Sequence, residues 1–155
     1  MNIYLAGGVF NAAERLHNLY LARALERLGH TVILPQREAL QFFSDGSFNV
    51  AAIREDCRQS ASTRNNIFVG SADGADADAG TSIEYGLAIQ ATGRAVIYRT
   101  DFRTDEAREI GMNAMLKLNG TAFVYDPCFI TDLDEAEAFY ASLAQKIHEA
   151  IYPRP

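Results

Sequence analysis

The sequence predicts an α/β fold in which a flavodoxin-like, doubly wound five-stranded parallel sheet, in the order 2-1-3-4-5, carries helices on both faces. Three observations lead there: short apolar runs without polar alternation, stretches of helical period between them, and a strand-to-helix exchange made five times over. A strand covered on both faces needs no polar side, which is the mark of a parallel sheet.

The elements follow in order. The first strand is the run Ile3-Tyr4-Leu5-Ala6-Gly7, which ends in Gly7-Gly8. A helix from about Asn11 to Leu28 has Leu16, Leu19, Tyr20, Ala24 and Leu28 recurring every three to four residues, and Gly29 stops it. Thr31-Val32-Ile33-Leu34-Pro35 is the second strand. The polar stretch from Gln36 to Ser47 is long for a connection and is expected to be a loop that could serve as a lid. A helix from about Phe48 to Ser60 leads to the third strand, Asn66 to Gly70. An acidic stretch, Asp73 to Glu84, then opens a helix with Ile83, Leu87, Ala88 and Ala91 on one face, closed by Gly93 after Thr92. The fourth strand is Ala95-Val96-Ile97-Tyr98, followed by the charged loop Thr100 to Asp105 and a helix through Ile110, Met112, Met115 and Leu118. Asn119-Gly120 ends that helix, Thr121 to Tyr125 is the fifth strand, and Asp132 to Tyr152 is a long last helix before Pro153.

Length and composition bound the function. A chain of 155 residues, 48% hydrophobic, fits one domain over residues 1–155 with a full core. A net charge of −6 with no Lys/Arg run excludes a nucleic-acid backbone as partner. Cys57 and Cys128 stand without a CxxC or Cys/His pattern, so neither a zinc site nor a disulfide is expected. The start of the chain has no basic leader, and no apolar run nears the roughly 20 residues of a membrane span, so a cytoplasmic protein without membrane contact is expected. Gly7-Gly8 lacks the rest of a dinucleotide fingerprint. His17, His30 and His148 are expected at the surface, away from the acidic stretch, and no Ser-His pair points to a hydrolase triad.

Ligands of doubly wound sheets sit beyond the carboxyl ends of the strands, where the strand order reverses. The loops Gly7 to Asn11 and Asp73 to Glu84 fall there, with Asp101 to Arg103 on the same edge. The acidic stretch holds Asp73, Asp76, Asp78 and Glu84 between an apolar strand and an apolar helix. Asp78 or Thr81 can cap that helix, and Gly80 permits a tight start. Glu84 then falls within about the first turn, where the helix dipole favours its ionised form by roughly 0.3–1 kcal/mol. One carboxylate nucleophile with other carboxylates nearby is the equipment for cleaving a glycosidic bond with retention.

Five stretches add to this reading: Ile3-Tyr4-Leu5-Ala6-Gly7 with Phe10-Asn11 and Ala13-Glu14-Arg15; Leu34-Pro35-Gln36; Asp78-x-Gly80-Thr81-x-x-Glu84-x-Gly86-x-Ala88; Asp101-x-Arg103; and Asn113-x-Met115. In register from the first strand to the fourth helix, they resemble the nucleoside 2-deoxyribosyltransferases. That resemblance implies a ping-pong exchange of 2-deoxyribose between nucleobases in nucleoside salvage, through a covalent deoxyribosyl-enzyme. It implies no metal and no organic cofactor, with deoxynucleosides and free nucleobases as partners. Glu84 resembles the nucleophile, Tyr4 the hydroxyl that holds it, and Asp78 the aspartate that binds the sugar hydroxyl side and helps the leaving base gain a proton. Asn113 resembles an asparagine that reaches the 5′-hydroxyl from a neighbouring subunit, which implies a homo-oligomer with shared sites.

Gly7, Gly80 and Asp101 lie in the matching stretches and are expected at the substrate, and Phe10, Gln36, Phe42 and Phe43 are expected around the base. One departure is Asn66, where many members begin the strand with an aspartate near the base; an amide cannot titrate. Two other readings stand beside this one: a 2′-deoxynucleoside 5′-monophosphate N-glycosidase using the same glutamate with water, and a non-catalytic nucleotide-sensing module.

Overall fold

The structure is a computed structural model that describes residues 1–103 and 112–152. Its sheet contains β1 (Asn2–Ala6), β2 (Thr31–Ile33), β5 (Asn66–Ser71), β6 (Ala95–Arg99) and β7 (Thr121–Tyr125) in the order β2-β1-β5-β6-β7. All four neighbouring pairs are parallel, and the central register sets Ile3 beside Ile67 and Tyr4 beside Phe68. Numbered within the sheet, this is the expected 2-1-3-4-5 winding. The helices are α1 (Ala12–Arg27), α2 (Pro35–Glu38), α3 (Val50–Ser62), α4 (Ala79–Thr92) and α5 (Asp134–Ile151). Among the described residues no helix is long and apolar enough to cross a membrane.

Strand side chains alternate between faces, and that alternation divides the core. Ile3, Leu5, Val69, Val96 and Tyr98 pack against Leu21 and Leu25 of α1 and Leu143 and Ile147 of α5. Tyr4, Ala6, Phe68 and Ile97 point the other way, to Ala61 of α3 and Tyr85 and Ala88 of α4. Tyr4 is therefore on the α4 side because its strand neighbours Ile3 and Leu5 claim the other.

The structure corrects four expectations about the elements. In α1 the buried face is Asn18, Leu21, Ala22, Ala24 and Leu25, leaving Leu16, Leu19, Tyr20 and Leu28 exposed. Apolar residues surround most of that helix, so spacing alone could not choose the face. In α4 the buried residues are Thr81, Tyr85 and Ala88, while Ile83 is 67% exposed. The stretch after β2 is not an irregular loop: α2, a 3-10 turn at Ala39–Phe42 and a small antiparallel hairpin of β3 (Phe43–Ser44) and β4 (Ser47–Phe48) fill it. Asp45 and Gly46 both have positive φ, as a tight two-residue hairpin turn requires. Finally, no long helix covers Met112 to Leu118, where a single 3-10 turn at Ala114–Leu116 is capped by Asn113, whose side chain accepts from the Met115 N–H at 3.0 Å. Ile110 lies outside the described residues.

Two glycines of left-handed conformation separate strain from collision. Gly29 (φ +85°) has open space where a Cβ would stand, whereas a Cβ on Gly120 (φ +89°) would run into the Gly93 carbonyl. Gly29→Ala should therefore lose about 1 kcal/mol in urea unfolding, from backbone strain alone. Gly120→Ala should exceed it by at least about 2 kcal/mol.

Candidate active site

At the carboxyl ends of β1 and β5 lies a cavity of about 640 Å³. Gly7 and Phe10 from the turn after β1 line one side, Gln36 of α2 another, and Asp78, Gly80 and Glu84 the side formed by the start of α4. Six expected site residues thus meet in one place, with Tyr4 buried at 1% exposure in the sheet behind them. Arg15, Leu40, Phe48, Ile53 and Cys57 complete the wall and were not foreseen. Phe48 stands where Phe42 and Phe43 were expected, since the hairpin packs Phe43 against it at 4.8 Å. Phe10, 77% exposed, forms the rim.

Asp78 is the N-cap of α4, accepting from the Thr81 N–H at 2.9 Å and the Thr81 hydroxyl at 3.3 Å. A Cβ on Gly80 would stand 3.0 Å from that carboxylate, so Gly80 leaves room for the cap. Glu84 is the sixth residue of α4, in its second turn rather than its first. It shares a helix side with the buried Thr81 and Ala88, which draws it partly into the protein.

Burial therefore dominates the expected dipole effect. It pushes the Glu84 carboxyl up to about 7, against the nearby Tyr4 hydroxyl and Cys57 thiol, which lower it, and the charge of Asp78 adds to the rise. Among the described residues the Tyr4 hydroxyl has no partner at full hydrogen-bonding distance, yet Glu84 and Cys57 are near enough to act on it. Burial first, and then their charges, raise it far above the usual phenol range. It is a neutral donor facing the carboxylate, and such contacts commonly tighten only when substrate is bound.

Asp73, and Asp101 from the loop after β6, are structural. Asp73 accepts from the Thr100 N–H at 2.6 Å, the Thr100 hydroxyl at 2.7 Å and the Asp101 N–H at 2.9 Å. Asp101 accepts from the Gly74 N–H at 3.1 Å and from the Arg103 N–H at 2.9 Å, and its ion pair with Arg103 holds its carboxyl well below the usual range. Asp101 lies on the expected edge, but in a separate crevice with Glu14, Gly74 and Arg103, not in the Glu84 cavity.

Asn66 also fails to reach the cavity. It begins β5 beside Asn2, at the opposite end of the sheet, and its amide donates to the Ser60 carbonyl at 2.8 Å. Asn113 is exposed and borders a different crevice, with Tyr85, Gly86 and Met115.

Two histidines depart from expectation. His17 is not remote: it lines a polar crevice with Asp73, Asp76 and Asp78, bonded at 3.0 Å to the hydroxyls of both Tyr98 and Tyr140. Its burial favours the neutral ring. His30 is buried and bonds His148 at 2.9 Å. Among the described residues no group of three metal-binding side chains gathers.

The raised Glu84 has a stability consequence. Between an ordinary carboxylate value near 4.5 and about 7 the folded chain holds a proton that the unfolded chain has lost. Stability therefore falls as pH rises through that window. Glu84→Gln should match the wild type in melting near pH 4 and exceed it above pH 7, by on the order of 2 kcal/mol. The difference between the two proteins across a pH series of thermal melts isolates this one group.

The chain was compared with known proteins. A conserved protein from Enterococcus faecalis V583 superimposes with a TM-score of 0.69 at 22% identity, over 96% of this chain and 98% of that one. A 2-deoxyribosyltransferase from the psychrotolerant bacterium Bacillus psychrosaccharolyticus superimposes with a TM-score of 0.59 at 22% identity, over 88% and 90%. At that identity these neighbours speak for the fold. A comparison with curated protein sequences found no match. The family model described as nucleoside 2-deoxyribosyltransferase matches residues 3–115. That span takes in β1, the cavity and Glu84 and is well over half of the 155 residues, and the chain belongs to the nucleoside 2-deoxyribosyltransferase family.

Proposed function

We propose that this protein moves 2-deoxyribose between nucleobases for nucleoside salvage, with Glu84 as the nucleophile of a ping-pong reaction. The observation that carries the reading is a partly buried carboxylate at the foot of an apolar-rimmed cavity, backed by a neutral phenol, in a chain of this family. Burial favours a carboxylate that reacts over one that is solvated, and the raised value leaves it largely ionised only above about pH 7. The ionised Glu84 attacks C1′ of a deoxynucleoside. The C1′–N bond breaks, its electron pair goes to the base, and the base leaves with a proton. A second base then attacks C1′ and gives its ring N–H proton to water, so that a C–N bond forms as the C1′–O bond to Glu84 breaks and the carboxylate is freed.

Tyr4 holds the attacking carboxylate, and Asp78, fixed by its cap, meets the sugar hydroxyls. The aromatic rim of Phe10 and Phe48 suits a flat base. Since Asn66 lies at the far end of its strand, the proton for the leaving base comes from elsewhere: it is taken from water, and Asp78, the second carboxylate in the cavity, helps to guide it to the base. Asn113 borders another crevice of its own chain, so a part in catalysis would have to be played in the cavity of a second subunit of a homo-oligomer.

A 2-fluoro-2-deoxyribosyl nucleoside should leave its sugar on the peptide containing Glu84, seen as an added mass, and Glu84→Ala should lose both the adduct and more than about 99% of base exchange. Turnover without any adduct would sink the covalent mechanism. For the shared site, Glu84→Ala and Asn113→Ala chains should each be nearly inactive alone. Refolded together, they should regain activity, because one site in a mixed pair then combines both intact residues. Mixed oligomers verified by native mass spectrometry but still inactive would place both residues in one chain.

A further inference from the structure

We propose that Cys57 is a positioning residue for Glu84: as the site tightens on substrate, its thiol, on α3, donates a hydrogen bond to the carboxylate, while Tyr4 approaches the same group from β1. The inference rests on the reading of Glu84 as the nucleophile. Helices α3 and α4 pack side by side on one face of the sheet, and both Cys57 and Glu84 line the cavity. Behind them the Tyr4 hydroxyl, in a residue 1% exposed, is buried without a partner at full hydrogen-bonding distance. Its polar neighbours are Cys57 and Glu84. Three polar groups from three elements thus converge on one point of the wall.

Their protonation states fit one arrangement. Burial and the charges of Glu84 and Asp56 push the Cys57 thiol up, so it keeps its proton. Tyr4 keeps its proton as well. An ionised carboxylate can only accept, so both neutral groups serve as donors to it. Asp78, from the loop before α4, faces the same carboxylate with a negative charge, and Arg15 of α1 lines the same cavity. Among the described residues Glu84 forms no ion pair. Neutral donors can orient a carboxylate without quenching its charge, which a bound guanidinium would do.

Two measurements test this. In the pH dependence of kcat/KM, Cys57→Ala should move the acid limb up by roughly half to one pH unit, as expected from losing a hydrogen bond to a charged group. Cys57→Ser, which keeps a donor, should return the limb to the wild-type position or below. A thiol that only fills space would alter melting and leave the limb in place, and that result would overturn the proposal. The second measurement needs no turnover. In a Cys128→Ser background, the rate of Cys57 alkylation by iodoacetamide at pH 8 should rise several-fold on Glu84→Gln, since removing the facing charge increases the thiolate fraction. Glu84→Ala serves the same purpose if Glu84→Gln does not fold, with circular dichroism as the check. An unchanged alkylation rate would overturn the contact. A raised rate in the variant, together with no sugar adduct on the protein that retains Glu84, would uphold the contact and reject Glu84 as a nucleophile.

Discussion

The loop that carries the candidate chemistry is held by a buried charge. Arg99, the last residue of β6, is 1% exposed. A charge removed from water needs fixed partners, and its guanidinium donates to the carbonyls of Ala72 and Gly74, with the Asp101 carboxylate at 3.9 Å. Those two carbonyls flank Asp73, which in turn binds the Thr100 and Asp101 backbone. The loops after β5 and β6 are therefore tied together from both sides. The approach to Asp78 starts from a fixed point, and Asp78 as N-cap then sets where α4 begins. The helix delivers Glu84 to the cavity from there. Cutting this chain of contacts at Arg99 would loosen the site without touching any residue that lines the Glu84 cavity.

Neighbouring acidic residues at this edge of the sheet divide into two kinds, according to what surrounds them. Asp73 and Asp101 are saturated with donors, and Asp101 is held far below the ordinary carboxylate range. Such groups brace the backbone. Glu84 is partly desolvated, faces the negative Asp78, and has only neutral donors beside it, so its value is driven the opposite way. The same carboxyl group is held ionised or driven toward its neutral form by opposite environments. A carboxyl group raised in this way works against folding at neutral pH.

The alternation of β1 links the core to this chemistry. Ile3 and Leu5 are committed to the α1 and α5 side, which forces Tyr4 to the α4 side. A slip of one residue in the register of β1 would turn Tyr4 away from Glu84 and drive Leu5 toward the cavity. The pairings with β2 on one edge and β5 on the other, Tyr4 beside both Ile33 and Phe68, exclude that slip. The same hydrophobic pattern that builds the core thus aims the phenol.

Strand and helix spacing, read from apolar runs between glycines, was enough to predict the winding of the sheet and the edge where the Glu84 cavity lies. Asp78, Gly80 and Glu84 were legible too, because capping and a tight helix start are local matters that depend on residues three to six apart. Asn66 was misplaced although its position was readable: a residue that opens a parallel strand stands at the edge away from the ligand. The buried faces of α1 and α4 were not readable, because apolar residues such as Leu16, Leu21 and Ile83 occur on more than one side of each helix. Which side is covered depends on neighbours distant in sequence. Cys57 gave no local sign, and Arg15, although part of a matching stretch, was not assigned to the site, since their place in the cavity arises only when α1 and α3 meet α4 over the sheet. The ionisation of Glu84 was likewise a tertiary matter. A helix dipole can be inferred from the chain, but desolvation is set by what the fold packs around the carboxylate, and here desolvation is the larger effect.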